Sequence, residues 1–240
     1  MPAGTKVALI HGGLHGSWCW DDVVAAMISP VVAVDLPGRD GNLEGIGRIT
    51  IDDWVESAIS QLNPLGEGPL LLVGHSLGGV TVTEVARRIP ERIAGLVFIS
   101  CLVPAEGEEV AVTIAGEYAD LLFSPTGAFA VPTAEICKAM LGNDLPADTN
   151  ATLYSRLRPE PTQPFRTPIS RVGLPKVPMT YVRLRNDNAI PWEKQAQMIA
   201  NLGGADEVVI DSGHNVMMSH PKEIAMLLDQ IAAANRTVRT

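Results

Sequence analysis

A serine sits between two glycines in Gly74-His75-Ser76-Leu77-Gly78, directly after the apolar run Leu70–Val73 and directly before a helix-like pattern. A Gly-x-Ser-x-Gly at a strand-to-helix turn holds its serine in a strained backbone conformation and lifts the hydroxyl clear of the sheet. The helix start behind it favours developing negative charge. The plain alternative is a Gly-Ser turn without chemistry. What decides between the two is whether the chain also supplies a base, an acid and donors for an oxyanion.

A serine hydroxyl is a weak nucleophile until a base accepts its proton. The chain has five histidines. His75 flanks Ser76 in the turn, so its side chain is expected to point away from it. His11 and His15 lie in a glycine-rich loop, where packing is the simpler role, and His220 opens the last helix. His214, in "DSGHNVMMSHP", follows the last strand after Ser212-Gly213 and comes last in chain order, so it is the expected base. The base needs an acid to fix its tautomer. Asp187, in "RLRNDNAIP", ends a strand and fits. Asp211 is too close to His214 in sequence to reach round the ring, and Glu106, just after the fourth strand, is the rival. Two backbone N–H groups should face the developing oxyanion. Leu77 follows the nucleophile, and Gly13 lies in the loop "HGGLHGSW". That loop lacks the Lys-Ser/Thr ending of a phosphate cradle, and His11 and His15 have no third ligand nearby for a metal.

These residues are far apart in the chain, so alternating elements must bring them together. "KVALIHGG" (Lys6–Gly13), "PVVAVDLPG" (Pro30–Gly38), "PLLLVGHS" and "RIAGLVFIS" (Arg92–Ser100) read as strands, separated by helical patterns at "WCWDDVVAAMI" (Trp18–Ile28), "TIDDWVESAISQL" and "LGGVTVTEVARRI". Thr50 stands in N-cap position with acids in the first turn. Strands that are apolar throughout and alternate with helices imply a parallel sheet covered on both faces. Ligands gather at the carboxyl ends of such strands, where Ser76, Asp187 and the His214 loop all fall. From Val103 to Lys176 the alternation stops and prolines accumulate, with short helical pieces such as Thr133–Leu141. Residues 103–176 are therefore expected to form a lid inserted into a core of residues 1–102 and 177–240. Alternation resumes with "VPMTYVRLRND", "PWEKQAQMIANL", "ADEVVIDSG" and "HPKEIAMLLDQIAAAN".

With 46% hydrophobic and 19% charged residues, the composition is that of a folded core rather than a disordered chain. The net charge of −9, with no basic cluster, excludes a nucleic-acid surface. No apolar run approaches the length of a membrane helix. Three cysteines, Cys19, Cys101 and Cys137, show no framework spacing. With no secretory leader, a cytoplasmic location is expected.

The motifs resemble those of the α/β-hydrolase superfamily, and within it the plant methylesterase and hydroxynitrile lyase branch with its bacterial relatives. "HGGLHGSWCW" is similar to that branch's first loop and "LLLVGHSLGG" to its elbow. "RNDNAIP" and "SGHNVMMSHP" are similar to its acid and histidine segments, and "ATLYSRLRPEP" to a lid segment. The resemblance implies an α/β-hydrolase fold of about six mostly parallel strands with a helical lid, Ser76, Asp187 and His214 as triad, and Gly13 and Leu77 as oxyanion donors. It implies no cofactor or metal. Lyases of this branch carry threonine after the first loop histidine and lysine after the catalytic one; here Gly12 and Asn215 stand there. That favours hydrolysis of a small-molecule carboxylic ester through an acyl-enzyme, by a monomer or homodimer. A cyanohydrin lyase and a slow ligand receptor are the alternatives. Gly12, Leu14, Trp18, Leu121, Phe123, Phe129, Tyr154 and Met217 are expected around the substrate, with core packing the competing role for each.

Overall fold

The computed structural model describes residues 4–113, 128–129 and 131–235. Six strands form one sheet: β1 (Lys6–Ile10), β2 (Val31–Val34), β3 (Leu70–His75), β4 (Ile93–Ile99), β5 (Met179–Leu184) and β6 (Asp206–Ile210). Their spatial order is β6-β5-β4-β3-β1-β2, and every pair is parallel. Strands β3 and β4 are buried at every position because both faces of the sheet are covered. Along β1, Ala8 and Ile10 pack on one face while Val7 and Leu9 pack on the other. Leu70 and Leu72 against Leu71 and Val73 repeat this division on β3.

Helix α1 (Asp21–Ala26) lies against the second of these faces, α2 (Ile51–Gln61) and α3 (Gly78–Arg88) against the first. The first helix is shorter than its sequence pattern: a 3₁₀ turn covers Ser17–Trp20, and α1 ends at Ala26. The N–H groups of Ile28 and Ser29 donate instead to the carboxylate of Asp229, at 2.9 Å each, so the chain leaves the helix there. Helix α2 starts where expected. Thr50 Oγ1 accepts from Asp53 N at 3.2 Å and Asp53 Oδ2 accepts from Thr50 N at 2.7 Å, a reciprocal cap.

Between β4 and β5, helix α4 (Ala134–Met140) answers the helical pattern at Thr133–Leu141, and a further helix, α5 (Ala147–Arg156), follows it. The segment is not wholly helical. Glu108–Glu109 pairs antiparallel with Pro168–Ile169, and Ala128–Phe129 with Glu160–Pro161. These two-residue pairs are too short to carry an alternating pattern, so nothing in the sequence announces them. Helices α6 (Trp192–Leu202) and α7 (Pro221–Ala234) complete the core. The three cysteines are free and buried. Among the described residues no helix is long and apolar enough to cross a membrane.

Candidate active site

Ser76 follows the last residue of β3 and has φ of +51°, left-handed for a residue that carries a Cβ. The turn is held from both sides. Ser76 N–H donates to Ile99 O at 3.1 Å, and Ser76 O accepts from Leu102 N–H at 3.0 Å. The flanking glycines have no room for a side chain. A Cβ on Gly74 would meet Val82 Cγ2 at 2.8 Å, and one on Gly78 would meet the carbonyl oxygens of Ile10 and His11 at 2.7 Å. Ser76 is half-buried between two fully buried neighbours, His75 and Leu77.

His214 and Asp187 meet at the same edge of the sheet. His214 Nδ1 lies 2.7 Å from Asp187 Oδ2. A carboxylate only accepts, so the proton sits on Nδ1 and the lone pair on Nε2. Asp187 is fixed by three further donors. Ser100 Oγ donates to Oδ2 at 2.6 Å, while Ala189 N–H and Ile190 N–H donate to Oδ1 at 2.7 and 2.9 Å. Ser100, at the end of β4, has φ of +40°. The other acids are engaged elsewhere. Glu106 is bound to Ser170 Oγ and to Arg171 N–H, which hold its carboxyl below the usual range, and Asp211 pairs with Arg185.

His75 is turned towards the His214 loop. Its Nε2 lies 2.9 Å from the backbone oxygen of His214, and the two rings are 4.5 Å apart. Burial, with the neighbouring His214, holds its pKa well below the ordinary value, so it is a neutral brace between the serine turn and the His214 loop.

The loop after β1 closes the site. Gly12 presses on the serine turn: a Cβ there would meet His75 Nδ1 and Ser76 Cβ at 2.9 Å. Gly13 lies beside Leu77, whose side chain is 3.4 Å from where a Gly13 Cβ would stand. Two histidines grip this loop by its carbonyls. Leu36 N–H donates to His11 Nε2 at 3.1 Å, so His11 carries its proton on Nδ1 and donates it to Gly12 O at 2.8 Å. His15 Nδ1 donates to Gly13 O at 2.7 Å. Burial lowers both pKa values, that of His15 to about 4, so both rings are neutral at pH 7. Among the described residues, the Gly13 and Leu77 N–H groups have no protein acceptor.

The remaining substrate expectations divide. Trp18 stacks on His15 and carries Arg156 on its other contacts, 4.6 Å from the ring centroid. Leu14, with φ of +64°, packs with Cys137, Leu145, Leu153 and Leu157. Met217 is fully buried in the core with Trp20 and Ile224, and Tyr154 is 41% exposed on α5. Leu121 and Phe123 lie outside the described residues. Phe129 is described by its backbone alone, which pairs with Glu160. Glu160 is a residue that the sequence did not single out: it is fully buried, bonded to Arg39 and to the Leu14 N–H. Among the described residues no group of three or more His, Cys, Asp or Glu is placed to hold a metal ion.

A family model described as "Alpha/beta hydrolase family" matches residues 7–227. The chain belongs to the alpha/beta hydrolase family. Among curated relatives, this hydrolase is 29% identical to methyl jasmonate esterase 1 of Vitis vinifera, covering 93% of this chain and 95% of that protein. It is 26% identical to a pyrethroid hydrolase of Sphingobium wenxiniae, over 96% and 88% of the two chains. A solved extracellular α/β-hydrolase from a Paenibacillus species superposes with a TM-score of 0.83 at 21% identity, covering 94% of this chain and 98% of that one. Polyneuridine aldehyde esterase superposes with a TM-score of 0.78 at 21% identity, over 95% and 99%. Relatives and neighbours are named as esterases and hydrolases.

Proposed function

We propose that this chain hydrolyses small carboxylic esters through an acyl-enzyme on Ser76. One observation carries the reading: the Nδ1 proton of His214 is committed to Asp187, which leaves Nε2 as a base at the strand edge that also presents Ser76. Ser76 Oγ attacks the ester carbonyl and passes its proton to His214 Nε2. The oxyanion is received by the N–H groups of Gly13 and Leu77, and Asp187 stabilises the imidazolium. Collapse expels the alcohol, which takes the proton from His214. Water, deprotonated by His214, then attacks the acyl carbon, and the acid leaves as Ser76 regains its proton.

Relatives named esterases for methyl jasmonate and hydrolases for pyrethroids support ester chemistry and a broad choice of acid and alcohol. Two positions weigh against a cyanohydrin lyase. Any side chain at residue 12 would meet His75 and Ser76 at 2.9 Å, and residue 215 is a neutral, buried asparagine bonded to Leu141 O. Residues 103–176 would cover the site as a lid, and three free thiols fit a reducing compartment such as the cytoplasm.

A pre-steady-state experiment with p-nitrophenyl acetate tests the reading. A burst of nitrophenol stoichiometric with enzyme, absent from Ser76→Ala, is expected. Turnover surviving in Ser76→Ala would overturn the proposal.

A further inference from the structure

The loop between β1 and α1 has to present one backbone N–H to an oxyanion and keep every neighbouring group out of the way. Its successive peptides show how this is done. The Gly12–Gly13 peptide has its carbonyl bound by His11, at 2.8 Å, and its N–H is open. The Gly13–Leu14 peptide is bound at both ends, its carbonyl by His15 at 2.7 Å and its N–H by Glu160 Oε2. The carbonyl of Leu14 then accepts from Arg158 N–H at 2.9 Å. Residues 158 and 160 thus clip the backbone of Leu14 from both sides, and they belong to the segment between β4 and β5 rather than to the sheet. The clip acts at a strained point, since Leu14 has φ of +64° and such a conformation persists only where its surroundings over-determine it.

Glu160 needs an explanation of its own. Its side chain is fully buried and its Oε2 lies 3.3 Å from where a Gly13 Cβ would stand. Its other oxygen accepts from Arg39 Nη2 at 2.6 Å, and the Arg39 side chain is itself only 7% exposed. Burying such a pair costs desolvation that its attraction often fails to recover, and apolar replacements are often as stable. Stability therefore does not account for it. A carboxylate beside an oxyanion site would also repel the transition state unless a cation cancelled it, and Arg39 does so. Burial pushes the Glu160 carboxyl up, while the guanidinium and the Leu14 N–H pull it back.

We infer that Glu160, held by Arg39, is a positioning residue for ester hydrolysis: it fixes the Leu14 N–H so that the neighbouring Gly13 N–H is left open to the oxyanion. The inference rests on the acyl-enzyme reading given above. Neither side chain touches the reacting atoms; both act through the backbone of residues 13 and 14.

The test compares transition-state with ground-state recognition. For the wild type, Glu160→Ala, Glu160→Gln and Arg39→Met, one measures kcat/KM on p-nitrophenyl acetate. Alongside it go the Ki of a trifluoromethyl ketone, which adds to the serine as a tetrahedral oxyanion, and the Ki of an unreactive amide of the same shape. Losing an oxyanion donor costs about 100- to 1000-fold, and misplacing one costs less. Glu160→Ala is thus expected to lower kcat/KM by about 10- to 100-fold and to weaken the ketone by the same factor, with amide binding within about threefold. Glu160→Gln keeps an acceptor for Leu14 and should recover most of the loss; Arg39→Met should fall in the same direction as Glu160→Ala. A kcat/KM within about threefold of wild type in Glu160→Ala, a loss seen in amide but not ketone binding, or a Gln variant no better than Ala would each overturn the role. If Glu160→Ala does not fold, Glu160→Gln and Arg39→Met carry the same ketone-to-amide comparison. Ser76→Ala in parallel separates the two claims: activity surviving there sinks the acyl-enzyme reading, while its loss beside an unchanged Glu160→Ala sinks the positioning role alone.

Discussion

Asp187 accepts four hydrogen bonds, from Ser100, His214 and the amides of residues 189 and 190, so its orientation has no slack. Asparagine in its place would keep the volume, but its NH₂ could not accept the His214 Nδ1 proton, and the ring would be free to hold the wrong tautomer. Asp187→Asn is expected to lower kcat by about 10⁴-fold, read with the same nitrophenyl ester; a near-normal rate would mean that another acid serves His214. His75 is placed differently, with its Nε2 against the His214 carbonyl at 2.9 Å. His75→Ala should therefore cost far less than His214→Ala, and the reverse order would move the base assignment.

The strained residues belong to elements rather than to individual side chains. Leu14, Ser76 and Ser100 have positive φ, and they follow β1, β3 and β4, which are adjacent in the sheet. Three neighbouring strands thus end in backbone turned towards one edge, and the packing of α3 onto β1 fixes two of these ends against each other. Gly78 opens α3 with its Cα against the Ile10 and His11 carbonyls, where a Cβ would stand at 2.7 Å from both oxygens. Helix propensity alone would favour alanine there by up to about 1 kcal/mol. Backbone oxygens cannot swing aside, so overpacking should win. Gly78→Ala is expected to destabilise by about 2 kcal/mol, a fall in Tm of about 4–8 °C. An unchanged or raised melting temperature would show that the two elements can separate at little cost.

At the scale of the whole molecule, three neutral histidines make the fold sensitive to acid. His11, His15 and His75 are at most 1% exposed, and burial is the largest cause of the lowered pKa in each. The unfolded chain takes up protons near pH 6.5 at these rings, whereas the folded chain resists, His15 down to about 4. Their contribution is complete above pH 6.5 and is lost as the pH falls below it, by up to about 1.4 kcal/mol per unit for each ring. Glu160, raised by burial, works in the opposite sense, one group against three. Melting curves between pH 7 and 4.5 should show Tm falling steeply with acidity. A flat profile from pH 7 to 5 would mean that water reaches these rings in the folded state.

Local signals made much of this molecule legible in the sequence. Apolar runs between helical patterns implied a parallel sheet covered on both faces, and Gly74 and Gly78 flank a serine turn that the structure leaves no room to widen. Thr50 marked a helix start that the hydrogen bonds reproduce. The segment from 103 to 176 was legible only as an interruption, since two-residue strand pairs leave no periodicity. Sequence alone left Asp187 open to rivalry from Glu106; only the tertiary structure puts Asp187 against His214, and Glu106 against Ser170 and Arg171. Glu160 and Arg39 were invisible because their roles depend on partners far along the chain, Leu14 across 146 positions and each other across 121. A sequence reveals which groups can react when a strand end and a tight turn dictate their spacing. What holds those groups in place is decided by burial, which becomes defined only when distant segments pack together.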